Sequence, residues 1–139
     1  MKKFTAIAAI LLASLSTAAT ASAQDHAAKA NIPFGFYVAN KWVPAGEYTL
    51  TSDNRSPDVI TFRNANSSVA LMSLGHKVDR EPGRSSLRFK KIGDQYFLHE
   101  ILCAACRMNV GFTPSKREKE AGKNEARTAP PSDIYLALK

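Results

Sequence analysis

Two cysteines, three histidines and one tryptophan are all that this 139-residue chain holds of the residue types that most often carry metal or redox chemistry. So few cysteines exclude a disulfide-dense scaffold and leave room for one bridge at most. Cys103, Cys106 and His99 fall one ligand short of a closed structural zinc site. His76 and His26 lie in other segments. The chain has no Gly-x-Ser-x-Gly elbow and no His-Glu-x-x-His motif, and covalent haem attachment would need a histidine where Arg107 stands. No metal and no cofactor is implied. Beyond the first residues no apolar run approaches the roughly 20 residues that cross a bilayer. No strand–helix–strand repeat is visible, which argues against a parallel α/β sheet.

What is present begins with an export pattern. Lys2 and Lys3 form a basic start, Phe4 to Leu15 is apolar apart from Thr5 and Ser14, and Ala21-Ser22-Ala23 supplies small residues for cleavage. The spacing predicts a signal peptide over residues 1–23 and a periplasmic or secreted product starting at Gln24. No cysteine follows the small residues, which argues against a lipid anchor, and no transmembrane anchor is expected. Residues 24–31 are small and polar and read as a flexible leader. Residues 32–139 then form a single β-rich domain.

Within that domain Ile32, Phe34, Phe36 and Val38 share one parity, the period of a strand with one buried face. Pro44-Ala45-Gly46 is a turn from which a strand with Tyr48 and Leu50 on one face departs. Val59 to Phe62 is a further strand. Val69 to Leu74 is short and apolar on both parities, which favours a buried strand. Leu87 and Phe89 alternate with Arg88 and Lys90. Gly93-Asp94 offers a reversal into Tyr96 to Cys103, so the two segments form a hairpin of open register. Ser115 with Glu118 fits a capping box and predicts a short polar helix or loop within 114–125, with little apolar surface to pack. The last apolar stretch, Ile134 to Leu138, closes a sheet as a final strand or covers an open end. The expected fold is therefore all-β, an antiparallel β-sandwich or small β-barrel of six to eight strands with a short C-terminal helix. Its core would hold Phe34, Phe36, Tyr48, Leu50, Phe62, Leu71, Leu87, Phe89 and Leu98.

The charge is +7 at pH 7. Lys77 to Lys91 carries a local basic surplus, with Arg84, Arg88 and Lys90 as candidate contacts to an anionic ligand or surface. Tyr37 is opposite in parity to Phe34 and Phe36, and Trp42 precedes a turn. Both are candidate apolar contacts to a small molecule, lipid, glycan or other envelope component. Nucleic acid is not expected, because no zinc-finger, helix-turn-helix or single-strand-binding pattern occurs. Cys103-Ala104-Ala105-Cys106 reads as a candidate disulfide, provided that the chain bends at Ala104-Ala105, because residues three apart on a strand face opposite ways. The same spacing admits a thiol–disulfide redox loop, but the thioredoxin-like context is missing. A small hydrolase using His99 or His76 is the other alternative. His99 and Glu100 are strand neighbours expected to point to opposite sides, with an inward His99 taking a backbone partner.

The segments Ile32-Pro33-Phe34-Gly35-Phe36-Tyr37-Val38 and Pro44-Ala45-Gly46-Glu47-Tyr48-Thr49 resemble a family of small exported bacterial proteins of unassigned function. Gly93 to Leu98 and Ser115-Lys116-Arg117-Glu118 are similar to the same family. The resemblance implies an exported, single-domain, β-rich protein and carries over no catalytic or binding residue. The cysteine pair is not part of the pattern. The expected function is a non-enzymatic exported β-domain, ligand-binding or structural in the cell envelope.

Overall fold

A computed structural model describes residues 26–68, 70–81 and 83–139. The export segment and its small-residue boundary lie outside the described residues. In chain order the strands are β1 His26–Ile32, β2 Phe36–Val38, β3 Lys41–Val43, β4 Gly46–Asp53, β5 Ser56–Asn64, β6 Ala70–Leu74, β7 His76–Lys77, β8 Ser86–Ile92, β9 Gln95–Cys103 and β10 Met108–Gly111. The helix α1, Lys116–Glu125, follows, and then β11, Ser132–Ala137. Among the described residues the fold is all-β with one short helix. The strands outnumber the six to eight expected because β2, β3 and β7 are only two or three residues long, too short to show a period.

The strands form two sheets, one curled into a half-barrel. The first is antiparallel in the order β1-β4-β5-β6, and the second runs β11-β8-β9-β10-β7. Strand β2 lies parallel to β9 at Tyr37↔Phe97, and β3 pairs antiparallel outside β2. The final apolar stretch is thus a strand, β11, paired with β8 from Ser132↔Lys91 to Ala137↔Ser86.

The segment that reads as a loose leader is, in its described residues, a strand. Strand β1 pairs with β4 along its whole length, from His26↔Ser52 to Ile32↔Gly46. Ala28, Ala30 and Ile32 are its buried residues. Alanines on alternate positions make an adequate inward face, and a reading that looks for large side chains overlooks them. Strand β1 ends at Ile32, and Pro33-Phe34-Gly35 carries the chain to the second sheet, so the missing N–H of Pro33 falls outside a ladder.

Both sheets turn their alternate side chains into one core. Ile32, Tyr48, Leu50, Ile60, Phe62 and Leu71 from the first sheet meet Phe36, Val38, Leu87, Phe89, Leu98, Ile101 and Met108 from the second. Phe36 sets its ring edge-on to Tyr48 at 5.8 Å and to Phe89 at 5.3 Å, and Phe34 stacks on Tyr96 at 3.9 Å. The fully buried Tyr48 satisfies its hydroxyl by donating to the Pro44 carbonyl at 2.7 Å, which ties the Pro44-Ala45-Gly46 turn to the core. Val69 to Leu74 was expected to be a buried strand. Its described part, β6, is an edge strand that buries Leu71 and exposes Met72 and Leu74.

The two sheets are joined at both sides. On one side the chain steps from β6 into β7 across Gly75. On the other, Lys29 and Lys139 exchange two main-chain hydrogen bonds of 2.9 Å. A Cβ at Gly75 would collide with the Val110 side chain and lie 2.6 Å from the Gly111 carbonyl oxygen. Gly75→Ala is therefore expected to cost about 1–2 kcal/mol, because this half-buried corner can shift only in part. An unchanged urea midpoint would show that the corner yields freely.

Candidate functional site

The site lies on the outer face of the second sheet, and an irregularity in β9 creates it. Arg88 faces Glu100 whereas Phe89 faces Leu98, so His99 is an extra residue on β9 with no counterpart on β8. Such a bulge bends the strand and re-aims side chains. Leu98 and Ile101 both remain in the core, and the residues between them, His99 and Glu100, both turn outward. The expectation that these neighbours point to opposite sides is overturned, because alternation holds only in a regular strand. The imidazole also finds a side-chain partner where a backbone partner was expected: His99 Nε2 lies 2.5 Å from Glu118 Oε1.

Glu118 reaches this position from α1. The side chain of Ser115 caps the helix by accepting from the Glu118 N–H at 3.2 Å, as the Ser-x-x-Glu spacing predicts. Glu118 and Ala121 are the buried residues of the helix. Ala121 packs on Ile92 and Phe97, with Tyr37 at the margin. The polar helix thus docks through a buried His99–Glu118 pair and one alanine. Arg117, one residue before Glu118, donates from Nη1 to the Tyr37 hydroxyl at 2.9 Å, and its guanidinium lies 4.8 Å from the centre of the Tyr37 ring. The same ring stacks on Phe97 at 5.3 Å.

Register aligns the residues of this face, some of them covered by α1, into two rows. One crosses β11, β8, β9, β2 and β3 through Asp133, Lys90, Phe97, Tyr37 and Trp42. The second crosses β11, β8, β9, β10 and β7 through Tyr135, Arg88, Glu100, Gly111 and His76. Arg88 forks onto Glu100, with Nη2 2.7 Å from Oε1 and Nε 3.1 Å from Oε2, and reaches Asp133 at 3.4 Å. Arg80, from the loop after β7, pairs with the same Glu100. Burial works against the charge of Arg88, but its hydrogen bonds with Glu100 and the charges of Glu100 and Asp133 outweigh it, holding the guanidinium above its usual range.

Four of the sequence-derived ligand candidates therefore share this face. Tyr37, Trp42 and Lys90 stand in one row and Arg88 in the next. Arg84 is exposed in the loop ahead of β8 and joins neither. Tyr37 is half-buried beneath Arg117, whereas Trp42 is 60% exposed. The indole rests against the backbone of Gly35, where an added Cβ would come within 2.9 Å of Cζ2. Arg117, Glu118, Glu100 and Asp133 were not singled out as site residues. The capping spacing marked Glu118 as a helix start, but the side chain it would meet depends on the bulge.

Cys103 and Cys106 lie at disulfide distance across the turn between β9 and β10, with Cα atoms 5.4 Å apart. The reversal demanded by their spacing is present: Arg107 takes φ +52°, and its N–H bonds the Ala104 carbonyl at 3.3 Å. Both cysteines are buried in the core. A groove of about 530 Å³ beside the joint of β1 and β11, lined by Lys29, Asn31, Glu47, Asn66, Leu136 and Lys139 among others, contains none of the sequence-derived site residues. Among the described residues no cluster of three or more His, Cys, Asp or Glu is arranged to hold a metal ion, and no helix is long and apolar enough to cross a membrane. Compared with known proteins, the chain matches no family model, no curated protein and no solved structure, and its site is read from its own geometry.

Proposed function

We propose that this chain is an exported, non-enzymatic β-domain of the cell envelope that binds a glycan on the outer face of its second sheet. The observation that carries the reading is the exposed indole of Trp42, seated on Gly35 and in register with the Tyr37–Arg117 pair. A pyranose ring has an apolar C–H face that packs on an aromatic ring, while its hydroxyl groups need hydrogen-bonding neighbours. The Arg117 guanidinium and the Lys90 ammonium on the same face favour an acidic sugar over a neutral one. The Lys2-Lys3 start, apolar segment and Ala21-Ser22-Ala23 boundary support export. Burial of both cysteines in the core weighs against a thiol-exchange role, and the engagement of His99 by Glu118 beneath the helix weighs against a hydrolase built on that histidine.

Titration against neutral and acidic oligosaccharides tests the proposal. Trp42→Ala is expected to weaken binding of acidic members by about tenfold or more, with no change in thermal stability because the ring is already exposed. Equal binding by the variant and the parent protein, or no binding by the parent, refutes it.

A further inference from the structure

Among the described residues, strand β6 has a partner on one side only, β5. The Gly75 N–H bonds the Asp58 carbonyl at 2.8 Å, and the pairs Ile60↔Ser73 and Phe62↔Leu71 continue that register. By the alternation of an antiparallel ladder, the main-chain groups of Leu71 and Ser73 turn toward β5. Those of Ala70, Met72 and Leu74 turn toward the open edge. The same three residues expose their side chains, Met72 at 64% and Leu74 at 74%. Backbone groups seeking partners and apolar side chains seeking cover thus coincide on one short edge.

Proteins commonly guard such edges with lysine, proline or a bulge. Ala70-Leu71-Met72-Ser73-Leu74 has no charge and no proline, and its pairing with β5 is unshifted. The other strands at the borders of the described sheets differ: β1 carries Lys29, β3 carries Lys41, β7 is His76-Lys77 and β11 carries Asp133.

We infer that β6 pairs antiparallel with β6 of a second copy about a two-fold axis through Met72. Two-fold pairing sets Met72 against Met72 and Ala70 against Leu74, so every open backbone group meets its complement and the exposed side chains form one apolar cluster. The absence of charge points to the second copy as occupant. A charged partner finds no counter-charge on this strand, whereas an uncharged edge lets two copies of a basic chain approach without local repulsion. The result is a sheet continuous across both protomers, with the proposed glycan faces lying on the other sheet of each. The inference does not depend on the glycan reading.

Analytical ultracentrifugation of the purified protein over a range of concentrations tests it. The expected result is a mass of two chains at high micromolar protein, falling toward one chain on dilution. Met72→Lys places two ammonium groups face to face on the axis and is expected to raise the dimer dissociation constant at least about tenfold. Met72→Glu is expected to do the same, and an equimolar mixture of the two variants to restore the dimer. Because Met72 is exposed in the monomer, both variants should melt like the parent. A parent protein that stays monomeric throughout overturns the inference, as does a dimer that neither variant weakens.

Discussion

Replacing Phe36 by alanine is expected to lower the unfolding free energy by about 3–5 kcal/mol, measured as the loss in a urea titration. Phe36 has no solvent exposure and stands where the two sheets meet. Its ring lies edge-on to Tyr48 of the first sheet and Phe89 of the second. Truncation removes the transfer free energy of the ring and opens a cavity that strands held on both sides cannot collapse to fill. The neighbouring Tyr48 is fixed by its bond to the Pro44 carbonyl, so it cannot swing into the space. A loss below about 1 kcal/mol would mean that Phe36 is not where the two sheets meet.

Glu118→Ala is expected to cost about 2–3 kcal/mol, because it strands the His99 imidazole under the helix without its partner. The effect should be local as well as global. With the pair gone, α1 keeps only Ala121 as a buried contact with the sheet. Hydrogen exchange in residues 116–125 should accelerate well before that of β8 and β9. Glu120→Ala, an exposed change on the same helix, serves as control and should cost no more than about 0.5 kcal/mol. Equal effects of the two variants would show that the His99–Glu118 contact does not hold the helix down.

The core was legible from sequence where large side chains alternate. Phe36, Tyr48, Leu50, Phe62, Leu87, Phe89 and Leu98 are all buried in it. Phe34 packs against it from the crossover although no strand runs there, because inward parity outlasts the interruption at Pro33. The Gly93-Asp94 reversal proved to be a two-residue turn, with Ile92 facing Gln95 and Gly93 at φ +58°. Strand β1 leaves little trace in the sequence because alanine carries little apolar signal, and β6 reads as buried because an edge strand exposes apolar residues that a pattern assigns to a core.

Of the site, Tyr37, Trp42, Arg88 and Lys90 were picked out singly, on parity and charge. Their common face could not be read. It depends on β2 lying beside β9 in parallel, a pairing between segments about sixty residues apart, and on the His99 bulge. Neither leaves a mark on local periodicity. The link from Glu118 to His99 is equally remote, since a capping residue announces a helix but not the surface on which it lands.

The reciprocal main-chain bonds between Lys29 and Lys139 have a consequence for the order of assembly. The meander β4-β5-β6 and the β8-β9-β10 run are closed by short turns and can form as soon as each segment is free. The Lys29–Lys139 joint must await residue 139. A polypeptide delivered in extended form and released with β1 ahead of β11 would thus hold one flank unsealed until β11 arrives, with Ala28 and Ala30 left open to water for that interval.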